Sequence, residues 1–194
     1  MTLAPIPPVQ TPRLTLRAVA AADLADLMEV NGDPHVTEFL PYAAWQSERD
    51  AAAWLDRMNQ LVGGGTARQL VIVRNEDRKV IGTLLLFKFD QGSSRVELGY
   101  ALGRQHWRNG YAAEAVGAAL SHAFLQLGIR RVEAEVDPGN VASNALLRKL
   151  GFTGEGFLRD RWVAKGRTYG VNIYGLLARE WPAAMAPATP ARPR

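Results

Sequence analysis

The stretch between residues 95 and 136 constrains the fold of this chain more than any other. Residues 95–102, running Arg-Val-Glu-Leu-Gly-Tyr-Ala-Leu, read as a strand. Residues 111–127 then keep Ala112, Ala115, Val116, Ala119, Ala123, Phe124 and Leu127 at helical spacing, with Gly128 just past the end. Residues 131–136 alternate again as a strand. A strand, loop, helix and strand in that order form a right-handed crossover, so the two strands must lie parallel inside one sheet. Such sheets bind ligands beyond the carboxyl ends of their strands. That points at the loop of residues 103–110.

The flanking sequence supplies the rest of the sheet. Residues 13–19 alternate, with Leu14 and Leu16 on one parity and Arg13, Thr15 and Arg17 on the other. Residues 22–30 predict a helix stopped by Asn31-Gly32, and Asp33-Pro34 starts a short second one. Ser47 caps a third, running to about residue 61. Residues 69–74, 79–89 and 95–102 form a meander. A helix over 141–150 and two last strands, 152–163 and 167–177, follow. The expected architecture is a single α/β domain over residues 11–181, with a mixed sheet of seven strands flanked by helices. Residues 1–10 read as an N-terminal extension, and the Ala/Pro-rich residues 182–194 as a disordered tail.

Composition removes several function classes. The chain has 194 residues and no cysteine, which excludes disulfides, thiolate metal sites and an acyl-cysteine intermediate. Its longest strongly apolar runs, 70–73 and 84–87, are far below the ~20 residues that span a bilayer. The first ten residues carry three prolines and no basic region, unlike a secretory signal. A cytoplasmic protein with no membrane partner is expected. The net charge of +4 invites a nucleic-acid partner, but no block of five like charges appears, and an anionic ligand suits it as well. His35, His106 and His122 lack metal-ligand spacing, so no metal is expected.

The loop itself carries chemistry. Gly110 permits positive φ and close backbone approach. The helix beginning at Tyr111 offers unpaired N–H groups and the positive end of its dipole, and Arg104 and Arg108 add charge. The segment is a candidate diphosphate cradle, or else an ordinary strand-to-helix loop with solvated arginines. Neither the Walker pattern nor a three-glycine dinucleotide fingerprint is present.

Five segments in order resemble the GNAT N-acetyltransferases, and within them the RimJ/RimL branch that acetylates protein N-termini. They are Val96-Glu97-Leu98-Gly99-Tyr100, then His106-Trp107-Arg108-Asn109-Gly110-Tyr111-Ala112-Ala113-Glu114-Ala115, Asn140-Val141-Ala142-Ser143-Asn144, Lys149-Leu150-Gly151-Phe152, and Glu155-Gly156. The opening Thr11-Pro12-Arg13-Leu14-Thr15-Leu16-Arg17 resembles that branch too. The resemblance implies acetyl transfer from acetyl-coenzyme A to a primary amine, either a protein N-terminus or a small amine such as an antibiotic, polyamine or amino acid. It also implies a splayed sheet. Trp107, Arg108, Asn109, Gly110, Tyr111 and Ala112 would wrap the pyrophosphate with backbone amides. The strand holding Gly99, Tyr100, Ala101 and Leu102 would diverge from its parallel neighbour to admit the pantetheine arm. Trp107 departs from the Gln or Arg common at its position, which leaves backbone donors untouched.

The resemblance also nominates an acid and a base. Glu97 matches an acidic position beside the thioester, where it would take a proton through water; otherwise it is a half-buried carboxylate paired with an arginine. Ser143 matches a serine near the coenzyme sulfur that would protonate the thiolate; otherwise its hydroxyl caps a helix locally. The tyrosine that many relatives place seven residues after Asn140 is Leu147 here. Asn140 would hydrogen-bond pantetheine or serve as a turn residue, and Arg148 would approach the ribose phosphate or stay solvated. Phe39, Tyr42, Trp162 and Tyr169 fall in regions that wall the acceptor groove in relatives; aromatic residues there equally suit a core or a homodimer contact.

Overall fold

The computed structural model describes residues 7–182. All of its strands join one sheet in the order β1-β2-β3-β4-β5-β6-β8-β7. They are β1 (Val9–Gln10), β2 (Leu14–Ala18), β3 (Ala67–Arg74), β4 (Val80–Asp90), β5 (Arg95–Leu102), β6 (Arg131–Val136), β7 (Thr153–Ala164) and β8 (Arg167–Leu177). The helices are α1 (Leu24–Asn31), α2 (Pro34–Thr37), α3 (Glu48–Gly63), α4 (Tyr111–Leu125) and α5 (Val141–Lys149).

The sheet therefore has eight strands rather than seven. The extra one is β1, which pairs antiparallel with β2 through Val9↔Leu16 and Gln10↔Thr15. Two residues are too few to show alternation, so this strand carried no signal. The tail expected over 182–194 lies, beyond Pro182, outside the described residues.

β3 is buried along nearly its whole length because helices cover both faces of the sheet there. On one face Leu70, Ile72, Leu84, Leu86, Val96, Val132 and Leu147 form the main core with the alanine-rich inner side of α4. On the other, Val71, Val73 and Val80 pack against Leu27, Trp45, Trp54 and Met58. Trp45 and Trp54 meet at 5.5 Å between ring centroids. Ser47 and Asp50 start α3 with reciprocal cap bonds, Ser47 N–H donating to Asp50 Oδ2 at 3.0 Å. α4 stops at Leu125, two residues before the sequence expectation, because the Leu127 N–H turns back to His122 O and Gly128 takes φ +65°.

The parallel pair positions the site. β5 and β6 are in register only at Arg95↔Arg131, Val96↔Val132 and Glu97↔Glu133. Past Glu97 the pairing stops, yet β5 runs on to Leu102 and β6 to Val136. On its other edge, away from the slot this leaves, β5 stays hydrogen-bonded to β4 over the same stretch, from Leu86↔Leu98 to Gly82↔Leu102. Gly82 is required there, since a Cβ would fall 2.3 Å from Ala101 O.

Candidate active site

The open edge of β5 covers residues 98–102, about 16 Å of strand. N–H and C=O groups on an interior edge need partners. The slot ends at a closed vertex, Glu97 against Glu133, and opens toward the loop before α4.

That loop has a backbone able to receive an anion. Arg108 has φ +60° and Gly110 φ +78°, so the chain coils tightly into the N-terminus of α4. Gly110 is the N-cap and has no side chain to occupy the first-turn amides. Trp107 fastens the loop to the slot: its indole Nε1 donates to Leu102 O at 2.7 Å. Asn109 Nδ2 donates to Trp107 O at 3.0 Å.

A second clamp comes from far away in sequence. Glu114, in the first turn of α4, accepts from Thr11 Oγ1 at 2.6 Å and from Arg13 Nε at 2.6 Å. Arg13 also donates to Asn109 O at 3.0 Å and lies 4.6 Å over the Tyr111 ring. Burial raises the Glu114 carboxyl, but the Thr11 and Arg13 hydrogen bonds outweigh it and hold it below the usual carboxylate range. In the sequence Thr11 stands out only within the matching opening motif, and Arg13 only there and on the outward parity of a strand.

On the far wall of the slot, Asn140 caps α5, its Oδ1 accepting from Ser143 N at 3.0 Å. Ser143 does not cap. Its hydroxyl shares a 2.7 Å hydrogen bond with the Tyr100 hydroxyl from β5, which bridges the slot. Burial pushes Tyr100 up to about 12, so the pair remains protonated at neutral pH. Asn144 was not singled out as a site residue, yet it fixes this wall. Its Nδ2 donates to Asp137 O at 3.0 Å, and its Oδ1 accepts from Tyr174 at 2.8 Å and Asn172 at 2.9 Å. Leu147 is fully buried in the core. Arg148 is exposed, with its guanidinium 5.7 Å from the Tyr174 ring centroid.

Glu97 lies on the opposite face, at the vertex, and is only 7% exposed. Burial raises its carboxyl above the usual carboxylate range, and the hydrogen bond from Lys88 pulls the other way. Its partner is thus a lysine, not an arginine: Lys88 Nζ sits 2.6 Å from Glu97 Oε2 and 3.7 Å from Glu135 Oε1. Glu135 also accepts from Arg161 at 2.9 Å and from Trp162 Nε1 at 2.6 Å. Beside them an open cleft of about 570 Å³ runs over β6, β8 and β7, floored by Glu133 and Ile173 and flanked by Phe157 and Leu158.

The aromatic residues divide. Trp162 is at the site, and Tyr169 is its cross-strand neighbour. Phe39 lies against the turn before α5, since a Cβ on Gly139 would meet its ring at 3.4 Å. Tyr42 is not brought to the site: it packs in the second core, and its hydroxyl donates to Asn31 Oδ1 at 3.0 Å. Lys165, at the β7–β8 turn, donates to Thr37 O and Glu38 O and ties the hairpin tip to α2.

Residues 13–153 match the acetyltransferase (GNAT) domain family. The chain belongs to the GNAT family. It is an acetyl-CoA-dependent N-acetyltransferase. The chain is 39% identical over 171 residues to p20 of Bacillus licheniformis, an uncharacterized N-acetyltransferase, covering 88% of this chain and 96% of that one. It is 27% identical over 183 residues to the [ribosomal protein uS5]-alanine N-acetyltransferase of Escherichia coli, covering 88% and 91%. Spermidine N-acetyltransferase from Vibrio cholerae, solved with CoA and spermine, superposes with a TM-score of 0.75 at 21% identity, over 86% and 96% of the chains.

The slot and loop fit what a GNAT enzyme must hold. An unpaired strand edge offers amide partners to pantetheine, and first-turn amides behind Gly110 offer donors to a pyrophosphate. Among the described residues no group of three or more His, Asp or Glu side chains is placed to hold a metal ion, and no helix is long and apolar enough to cross a membrane.

Proposed function

We propose that this acetyltransferase modifies the α-amino group of a protein or peptide N-terminus, with Glu97 as the base and Ser143, supported by Tyr100, as the acid. The charge balance of the cleft carries the choice of acceptor. Glu97 and Glu135 face Lys88 and Arg161, Glu133 faces Arg95 and Arg131, and Glu155 faces Arg131. A polyamine needs carboxylates to spare, and these are spent. An N-terminal α-amine has a pKa near 8, against about 10.4 for a lysine, and loses its proton to a carboxylate more readily. The likeness to the uS5-alanine acetyltransferase supports the same acceptor.

In this reading the amides of 108–112 and the edge of 98–102 hold coenzyme A, the Trp107 N–H being already given to Arg104 O; Asn140 gives its free amide to the arm, and Arg148 meets the ribose phosphate. Glu97 takes a proton from the acceptor ammonium. The Ser143–Tyr100 pair supplies one to the departing thiolate and regains it from the nitrogen, which sheds its second proton as the amide forms. Phe39, Trp162 and Tyr169 line the approach. A second copy of the chain fits β7, an edge strand that leaves Phe157, Leu158 and Val163 exposed.

Thiol release from acetyl-CoA, measured across N-terminal peptides and small amines, tests this. The expected result is kcat/KM highest for peptides whose first residue is small. Faster turnover of spermidine or an aminoglycoside than of every peptide overturns the acceptor assignment.

A further inference from the structure

Lys88 is placed in a way that antiparallel pairing does not require. Phe87 pairs with Glu97, so strict alternation sends Lys88 to the opposite face. The register instead shifts between Phe87 and Asp90, and Lys88 takes φ +53°. Bulges beside active sites re-aim side chains. This one brings the ammonium back to the buried Glu97 at 2.6 Å, with Glu135 at 3.7 Å and the Trp162 and Phe87 rings at 5.2 and 5.3 Å. Two carboxylates and two aromatic faces around one ammonium describe a seat for a cationic amine. A lysine of the chain occupies it, at the closed end of the slot where the thioester would arrive.

We propose that Lys88 is an intramolecular acceptor, acetylated by its own active site when acetyl-CoA is bound and no external amine displaces it. The proposal rests on the reading of Glu97 as the base beside the thioester. Glu97 takes one proton from the Lys88 ammonium, and the neutral Nζ attacks the thioester carbonyl. The Nζ–C bond forms, the C–S bond breaks, and the electron pair leaves on sulfur. The second nitrogen proton passes to the thiolate. The products are Nζ-acetyl-Lys88 and coenzyme A thiol, and Glu97 returns its proton to water. The modified side chain is neutral, so Glu97 loses its cation and Glu135 keeps Arg161. A slot loaded without acceptor is thereby marked.

The chain has four lysines, and Lys79, Lys149 and Lys165 serve as internal controls. The full-length protein is incubated with acetyl-CoA alone and followed by intact mass and peptide mapping. One acetyl group is expected per chain, on Lys88, at a first-order rate unchanged by about tenfold dilution of the protein. Glu97→Gln is expected to slow it by about 10²-fold, and Lys88→Arg to abolish it. Labelling that spreads over the other lysines, or that Glu97→Gln leaves unchanged, is chemical acetylation and overturns the proposal. An enzyme that turns over an external amine while Lys88 stays unmodified overturns this inference alone. A chain that binds no acetyl-CoA overturns the reading beneath it as well.

Discussion

The two sides of the slot are made of different material. The side proposed for the coenzyme is backbone: the β5 edge over 98–102 and the amides behind Gly110, locked by Trp107 and Arg13. The side proposed for the acceptor is side chain: Glu97, Glu135, Lys88 and Trp162, crossed by ion pairs and floored by an open cleft. A backbone site tolerates most substitutions and fails when φ or a close approach is denied. A side-chain site fails one functional group at a time, and its chemistry is sensitive to charge.

The largest effect is expected on the acceptor side. Glu97→Gln should lower kcat by about 10²-fold or more below the acceptor's pKa, and less above it, where the amine loses its proton unaided. A uniform loss at all pH values would move the base elsewhere. Lys88→Met should act on the same group through charge. Lys88 holds the Glu97 pKa down against burial. Its removal therefore raises that pKa, and the acid limb of the kcat/KM profile should move to higher pH. A shift toward acid would contradict the pairing.

The coenzyme side should respond in Kd. Gly110→Val places a β-branched residue at φ +78° and brings a Cβ to 3.4 Å from Arg13. A charge-assisted amide bond at stake is worth about 1.5–3 kcal/mol, so calorimetry should show CoA binding weakened by about tenfold or more. Unchanged affinity would break the backbone account. Tyr100→Phe spans the two sides. Removing one hydroxyl bond worth about 1 kcal/mol should lower kcat about fivefold. The CoA Kd should hold, because the strand edge is intact.

The smallest effect is expected at the loop clamp. The Glu114 pKa lies below its unfolded value, so its stabilisation is fully present above the unfolded pKa and fades as pH falls through the folded one. Glu114→Gln should lose up to about 1 kcal/mol at neutral pH and flatten the acid side of the stability curve, as read by urea melts.

This contrast also explains what the sequence made legible. The crossover of β5, α4 and β6 and the loop at Gly110 were readable because glycine position and periodicity report backbone directly. The loss of pairing after Glu97 was expected only through family resemblance, since no local pattern encodes divergence of two strands. Lys88 was invisible because a bulge reverses the parity from which its face would be read. Arg13 and Glu114 meet across 101 residues, and no spacing rule reaches that far. Tyr42 looked like Trp162 as an aromatic in a promising region, and only packing told them apart. β1 was too short to show.

Everything on the coenzyme side depends on amides that lack a protein partner until the ligand arrives. Residue-resolved amide exchange, measured by NMR with and without coenzyme A, reads them directly. New protection is expected at the slot-facing amides of 98–102 and at 110–113, with little change along β3. Protection confined to other segments, or none at saturating coenzyme A, would contradict it.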